Sequence, residues 1–140
     1  MAVRTSRQKS PPPSEARLSI RIDLATGGRI GPGKVALLEA IDRAGSISAA
    51  GRDLRMSYRR AWELVEELNK IIGSPVVNTS AGGSGGGGAT LTPAGEALVT
   101  EYRAIEEATQ AAARRYLEAL GRTCTTPGTT PAKTPAKTPA

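Results

Sequence analysis

The sequence has no histidine, no phenylalanine and a single cysteine, and these absences exclude several kinds of site. Cys124 alone cannot build a disulfide framework, and without histidine no Cys/His zinc site can be written. The neighbouring carboxylates Glu63, Glu66 and Glu67 have the spacing of a solvated helix face, not of an acid/base pair. We therefore expect a protein that is not an enzyme and that binds no metal or cofactor.

Long apolar runs are also absent. No stretch approaches the roughly 20 apolar residues that a membrane-spanning helix needs. The basic N-terminal segment lacks the apolar core of a signal peptide. These features predict a cytoplasmic protein with no membrane partner.

Positive charge is in excess, with a net charge of +6, but it is unevenly distributed. From Leu18 to Gly121, 12 Lys/Arg residues are balanced by 12 Asp/Glu residues, so the excess lies in the tails. We expect residues 1–16 and 122–140, which include PPP and TPAKTPAKTPA, to be disordered. Residues 17–92 are predicted to form one domain, followed by a long helix over residues 93–121.

The domain begins with a strand pattern and continues with three helices. Residues 17–24, RLSIRIDL, alternate apolar and polar side chains, as a half-buried strand does. Pro32 opens the first helix and Gly45 ends it. Ser46 caps a short second helix, Ser57 caps a third, and Gly73 ends the third. A short second helix closely followed by a third is typical of a helix-turn-helix.

The third helix is expected to hold its first turn away from the core. Its apolar positions, Ala61, Val65, Leu68 and Ile72, recur at helical spacing. That spacing leaves the polar residues near the N-terminus pointing outward: Ser57, Tyr58, Arg59, Arg60 and Glu63. Such a turn can bind a phosphate through its free N–H groups, and its arginines can reach guanine edges. Trp62 lies at the border of the two faces, so it either covers the core or contacts DNA.

Six glycines occur within residues 82–88, between the apolar pair Val76–Val77 and the sequence ATLT. We interpret this segment as two short strands joined by a flexible tip that can lie close to a sugar-phosphate backbone. A phosphate-binding P-loop is excluded because the segment contains no lysine. A hairpin that contacts nothing remains the alternative.

Thr92 and Pro93 open a helix that can continue to Leu120, longer than so small a domain can cover. Apolar residues recur along it at spacings of four and three, as in a coiled-coil seam, and the predicted dimerisation residues are Leu98, Tyr102, Ile105, Ala112 and Tyr116. A twofold homodimer is expected, and packing of the helix against its own domain is the alternative.

Residues 31–69 (GPGKVALLEAIDRAGSISAAGRDLRMSYRRAWELVEELN), with GGSGGGGATLTPAGEAL, resemble the N-terminal winged-helix domain of molybdate-responsive, ModE-type transcriptional regulators. That domain is itself similar to the DNA-binding domain of LysR-type regulators. The resemblance covers residues 17–120 and implies a mainly α fold with a small β-hairpin wing, a winged helix-turn-helix with a long C-terminal dimerisation helix. Full-length family members bind the oxyanion in a C-terminal domain. We expect this chain, which ends in TPAKTPA, to lack that domain and to show no small-molecule effector site.

The resemblance implies binding of a pseudo-palindromic site on double-stranded DNA by a homodimer, with a link to molybdenum-related genes. The expected DNA-binding residues are Ser46, Arg55, Ser57, Tyr58, Arg59, Arg60, Trp62, Glu63, Gly82, Gly83, Ser84, Gly85 and Gly86. The alternative function is a weakly specific DNA-coating or partner-binding module that relies on its basic tails.

Overall fold

The computed structural model describes residues 16–83 and 86–124, which are mostly helical. The elements are β1 (Ile22–Asp23), β2 (Arg29–Ile30), α1 (Pro32–Ala44), α2 (Ile47–Asp53), α3 (Tyr58–Ile72), β3 (Val77–Gly83), β4 (Gly86–Leu91) and α4 (Pro93–Thr123). Strands β1 and β2 form one antiparallel pair, and β3 and β4 form another. The expected fold class, helices with a small β-hairpin, is confirmed. The expected tails lie outside the described residues except for Ala16 and residues 122–124, and Arg122 and Thr123 belong to α4.

The caps that bound α1, α2 and α3 are those expected from the sequence. Pro32 occupies the first turn of α1, and Gly45 ends that helix with a φ of 77°. The hydroxyls of Ser46 and Ser57 accept backbone hydrogen bonds at the starts of α2 and α3. Gly73 ends α3 with a φ of 85°. Glycine adopts this left-handed conformation at little cost, so local chemistry alone fixes these boundaries.

The expected first strand is mostly an extended segment outside any sheet. Side-chain burial alternates from Ala16 to Leu24 as the pattern predicts, but only Ile22 and Asp23 pair with β2. The backbone of Ile20 has a different partner, because its carbonyl accepts a hydrogen bond from the Tyr102 hydroxyl at 2.6 Å. The alternating sequence pattern therefore correctly indicates that one face of residues 16–24 is the more buried one. The backbone hydrogen bonds of this segment come partly from α4 and not only from a neighbouring strand.

The core surrounds α1, which contacts α2, α3 and β4. Four α1 side chains, those of Val35, Leu37, Leu38 and Ile41, are completely buried. The buried apolar residues form one cluster: Ile30, Val35, Leu37, Leu38, Ala40, Ile41, Ile47, Ala50, Ala61, Leu64, Val65, Leu68, Val76, Ala89 and Tyr102. All three helices of the expected helix-turn-helix unit and the β4 strand contribute to this cluster, so they share one core.

The start of α4 is fixed against the chain just before β3. Thr92 donates its hydroxyl proton to the Pro75 carbonyl at 2.8 Å and its N–H to the Val76 carbonyl at 3.0 Å. The Thr92 hydroxyl oxygen also accepts from the Gly95 N–H at 3.0 Å. A Cβ at Gly95 would collide with the Val76 carbonyl oxygen, so glycine allows this approach. The two ends of the β3–β4 hairpin are thereby held together.

The chain divides into two compact units, Ser19–Ala108 and Met1–Leu18 with Thr109–Ala140. The α4 residues up to Ala108 belong to the first unit, where Leu98 and Tyr102 pack against the core. These two residues were expected in a dimer seam, but the structure buries Tyr102 in its own chain. In the second unit, Leu18 N–H donates to Gln110 Oε1 at 3.3 Å.

An ion pair joins α4 to α1. Arg103 contacts Glu39 through two hydrogen bonds, Nη2 to Oε1 at 2.6 Å and Nε to Oε2 at 2.9 Å, and it also pairs with Glu106. These contacts raise the pKa of the Arg103 guanidinium, with the hydrogen bonds to Glu39 as the largest cause. The two-point geometry fixes the orientation of α4 on α1 more firmly than a single contact could.

Replacing Tyr102 with phenylalanine tests the link between α4 and Ile20. Tyr102→Phe leaves the Ile20 carbonyl without this partner, and we expect the free energy of unfolding to fall by about 1–2 kcal/mol. Urea unfolding followed by circular dichroism measures the change. Tyr116→Phe is the control, because Tyr116 is 68% exposed. Equal stability of wild type and Tyr102→Phe would contradict the assignment.

The pH dependence of the same pair of proteins gives a second readout. Burial, followed by the charge of Glu106, raises the pKa of the Tyr102 phenol above its ordinary value of 10.0. The folded state therefore holds this proton more tightly than the unfolded chain. This contribution to stability is complete below pH 10 and is lost as the pH rises above that value. The stability difference between wild type and Tyr102→Phe should therefore shrink in alkaline solution.

Candidate nucleic-acid interface

The first turn of α3 presents a polar, basic surface. Ala61, Leu64, Val65 and Leu68 turn one face of the helix toward the core. The residues before them are exposed: Tyr58 is 56% exposed, and the Arg59 and Arg60 side chains are 89% and 53% exposed. The first turn contains no acidic residue. The helix dipole and the two guanidiniums therefore make this end attractive to anions.

Ser57 organises the start of α3 and is itself exposed. Its hydroxyl accepts the Arg60 N–H at 3.0 Å, so one N–H of the first turn is already satisfied. The remaining N–H groups at a helix N-terminus have no partner within the helix. An acceptor brought to this turn can therefore meet backbone donors as well as guanidiniums.

Glu63 lies between the two arginines. Its Oε2 is 3.4 Å from Arg59 Nε, and its Oε1 is 3.3 Å from Arg60 Nη1. Sequence reasoning placed Glu63 on the outward face but missed these pairs. The spacings of four and three residues along one helix are the signal that could have found them.

Trp62 and Tyr58 form an aromatic pair on the same helix. Their ring centroids are 6.3 Å apart and the rings are at 78°, an edge-to-face arrangement. Trp62 is half-buried against the core, which is the core-covering position considered from the sequence. Its ring therefore supports the exposed Tyr58 from one side.

The turn between α2 and α3 holds Arg55 in a left-handed conformation. Arg55 has a φ of 60°, and it is the only residue other than glycine with a positive φ among the described residues. The turn closes through Arg55 N–H to the Arg52 carbonyl and Met56 N–H to the Gly51 carbonyl, at 3.1 and 2.9 Å. Gly51 is buried, and a Cβ there would lie 3.3 Å from the Met56 carbonyl oxygen. Arg55 is exposed and lies three residues before Tyr58, the first residue of α3.

Ser46 occupies a different position from the other expected contact residues. It is half-buried at the start of α2, and its hydroxyl accepts the Ala49 N–H at 2.9 Å. The preceding residue, Gly45, accepts the Ala89 N–H at 2.8 Å through its carbonyl. The corner between α1 and α2 is therefore hydrogen-bonded to β4.

The β3–β4 hairpin continues into the glycine-rich segment. Val77 pairs with Leu91, Ser80 with Gly88 and Gly83 with Gly86, with an irregular register between Ser80 and Gly83. The strands are therefore longer than expected, and Gly82, Gly83 and Gly86 belong to them. Ser84 and Gly85 lie outside the described residues.

Two other kinds of site find no support in residues 16–83 and 86–124. No group of three or more acidic or cysteine side chains there could hold a metal ion. No helix of that part of the chain is both long enough and apolar enough to cross a bilayer.

The helical unit is similar to a known protein family. Residues 33–96 match the family model described as bacterial regulatory helix-turn-helix protein, lysR family. The match runs from α1, through α2, α3 and the hairpin, into the first turn of α4. It covers most of the buried core residues and the first turn of α3, whereas Ile30 and Tyr102 of the core lie outside it.

Curated relatives are similar to more than half of the chain. The molybdenum-pterin-binding protein MopB of Rhodobacter capsulatus is 54% identical over 81 residues, 58% of this chain and 30% of MopB. The molybdenum transport protein ModE of Azotobacter vinelandii is 39% identical over 105 residues, 75% of this chain and 38% of ModE. The DNA-binding transcriptional dual regulator ModE of Escherichia coli K12 is 37% identical over 81 residues, 58% of this chain and 31% of that protein. The chain spans about a third of the length of the curated relatives it matches.

Solved structures show the same fold. A chain in the crystal structure of the CbnR_DBD-DNA complex superposes with a TM-score of 0.51 at 24% identity, covering 63% of this chain and 95% of that one. At this level of identity the likeness concerns the fold alone. It agrees with the arrangement of helices and hairpin described above.

Replacing Arg55 tests the strain in the turn. A left-handed conformation costs an L-residue with a side chain more than it costs glycine, so Arg55→Gly is expected to raise the free energy of unfolding by up to about 1 kcal/mol. Arg52→Gly, within α2, is the matched control and should lower that free energy by about 0.5–1 kcal/mol. Urea unfolding curves measure both. Destabilisation by both variants would contradict the strained geometry.

Proposed function

We propose that the protein is a sequence-specific DNA-binding transcriptional regulator of the ModE type, since residues 33–96 match the family model of lysR-type bacterial regulatory helix-turn-helix proteins. The observation that carries the proposal is the exposed first turn of α3, where Tyr58, Arg59 and Arg60 follow the Ser57 cap. Two relatives, ModE of Escherichia coli and MopB, give the family-level support. The role is binding, not catalysis, and it is exerted in the cytoplasm.

In this proposal α3 enters the major groove with its N-terminal end leading. The arginine fork matches the O6 and N7 acceptors of guanine, which are presented only in that groove. Tyr58 offers an exposed ring and hydroxyl beside the arginines, and Arg55 and Ser57 are candidates for phosphate contacts at the groove edge. Base contacts would supply sequence choice, and phosphate contacts would supply salt-dependent affinity.

The hairpin is proposed to follow the flanking backbone. Glycines at 82, 83 and 86 leave the strand edges without side chains, so a sugar-phosphate chain could approach closely. The hydrogen bond from Ala89 N–H to the Gly45 carbonyl supports this role, since it ties the hairpin to the helix-turn-helix unit. The expected tip residues Ser84 and Gly85 belong to the same proposal.

The proposal includes a homodimer that reads a pseudo-palindromic site. Ile105, Tyr116 and Leu120 are 42%, 68% and 54% exposed, so each has apolar surface available to a second copy of the helix. Of these three residues, Ile105 and Tyr116, together with Ala112, make up the outer part of the seam expected from the sequence. Leu98 and Tyr102 contribute little to it because their side chains pack in the core of this chain. Two protomers would present two α3 helices to half-sites one helical turn apart, or a multiple of it.

A link to molybdenum-related genes is part of the proposal. It rests on two relatives named for molybdenum, a molybdenum-pterin-binding protein and a molybdenum transport protein. Selection of bound fragments from genomic DNA by the full chain, with and without molybdate, would identify the operator. Enrichment of fragments unrelated to molybdenum genes would contradict the proposed link to molybdenum-related genes.

Substitution of Arg59 tests base readout. Arg59→Ala should reduce affinity for the selected duplex by roughly tenfold while affecting scrambled duplexes less, because a bidentate base contact contributes about 1–3 kcal/mol of discrimination. Lys133→Ala removes the same charge from the C-terminal tail and should barely change either value. Fluorescence anisotropy at fixed salt measures the affinities of the wild type and of both variants for the two duplexes.

Two outcomes would contradict this assignment. Equal loss of affinity on every duplex after Arg59→Ala would assign the side chain to phosphate contacts instead. A large loss after deletion of residues 125–140, with Arg59→Ala harmless, would support the alternative of a DNA-coating module held by its basic tails. That deletion leaves all of α4 in place.

Substitution of Tyr116 tests the dimer. Tyr116→Asp places a charge in the proposed seam, and we expect the mass measured by light scattering at micromolar concentration to fall to that of one chain. Ala111→Asp, at an exposed position outside the seam, should remain dimeric. A wild-type protein that stays a single chain with and without duplex would refute the dimer.

A further inference from the structure

Glu63 is the acidic partner shared by both exposed arginines at the start of α3. One carboxylate oxygen lies 3.4 Å from Arg59 Nε and the other 3.3 Å from Arg60 Nη1, so the carboxylate is used at both oxygens. Within residues 16–83 and 86–124, Arg59 and Arg60 have ion pairs with no other acidic residue. The two positive charges proposed to meet DNA therefore already have an intramolecular counter-charge.

We propose that Glu63 is a positioning residue that sets the sequence selectivity of the α3 surface, an inference that rests on the proposed function. Its carboxylate restrains both guanidiniums and competes with DNA phosphate for them. Glu63 thereby weakens binding to arbitrary duplex more than it weakens binding to the selected site.

Arbitrary DNA and the selected site offer the arginines different acceptors. Binding to arbitrary DNA depends on phosphate charge and on the release of counterions. An arginine that leaves a carboxylate for a phosphate exchanges one anion for another, so little is gained. At the selected site the guanine edge offers two acceptors in the plane of the guanidinium, which a phosphate on the groove wall does not reproduce. Only that geometry compensates the loss of the contact to Glu63.

The exposure of the pairs fits this role. Glu63 is 48% exposed at its side chain, and exposed ion pairs are weak enough to be exchanged on binding. A buried pair would hold the arginines permanently and would prevent base contacts. The restraint also reduces the number of conformations that the two long side chains lose on binding.

The same helix supplies a matched control. Glu66 lies three residues after Glu63, is exposed, and forms no ion pair in the part of the chain that the structure describes. Glu67 would be a poor control because its Oε1 forms an ion pair with Lys34 Nζ at 3.3 Å. Glu63→Gln and Glu66→Gln change the net charge equally, but only the first releases the arginines.

The test measures the affinities of the full chain for two duplexes of equal length and base composition. One is the duplex enriched from a random library by the wild type, and the other is its scrambled version. Glu63→Gln should bind the scrambled duplex about three- to tenfold more tightly, with a steeper dependence on salt. Its affinity for the enriched duplex should change less than about threefold, so that the selectivity ratio falls. Glu66→Gln should keep the wild-type ratio.

The origin of the effect is checked in a second background. In Arg59→Gln/Arg60→Gln protein, Glu63→Gln should no longer change the selectivity ratio, because the restrained side chains are gone. Circular dichroism and thermal unfolding verify that each variant retains its fold.

The outcomes separate this inference from the proposed function. A selective wild type whose ratio survives Glu63→Gln would overturn the inference alone, as would an equal effect of Glu66→Gln. A wild type that binds both duplexes equally, or neither, would overturn the proposed function together with the inference.

Discussion

The position of α3 depends on the burial of one of its faces. Ala61, Val65 and Leu68 are nearly or fully buried in the core that surrounds α1. Because these side chains recur at helical spacing, the helix cannot rotate about its axis without bringing charge into the core or exposing apolar surface. The outward direction of Tyr58, Arg59 and Arg60 is therefore a consequence of packing. A site built on this turn inherits the rigidity of the core.

A second layer of contacts fixes α4 to that core. The hydrogen bond from Tyr102 to Ile20 and the two-point contact between Arg103 and Glu39 join α4 to the N-terminal segment and to α1. These polar contacts lie beside the buried ring of Tyr102, which itself packs in the apolar core. Among the described residues, no buried side-chain nitrogen or oxygen lacks a hydrogen bond. Residues 93–108 of α4 are therefore part of the domain, whatever the remainder of the helix binds.

The sequence predicted features that depend on local chemistry and missed those that depend on tertiary contacts. Proline, serine and glycine at helix ends specify boundaries within a few residues, so the three-helix unit was predictable. The left-handed Arg55 was not, because arginine carries no signal for that conformation. Periodicity in α4 identified its apolar face, but it could not separate Leu98 and Tyr102, used within the chain, from Tyr116, which is exposed. The pairing of Glu63 was available from spacing alone.

The base of the hairpin is held by bonds that do not involve its tip. Thr92 binds the Pro75 and Val76 backbone on one side, and Ala89 binds Gly45 on the other. The length of the hairpin beyond Ser80 can therefore change without disturbing the helices. A reporter peptide or a longer graft inserted in the hairpin beyond Ser80 would therefore alter the reach of the hairpin while leaving the helical body intact.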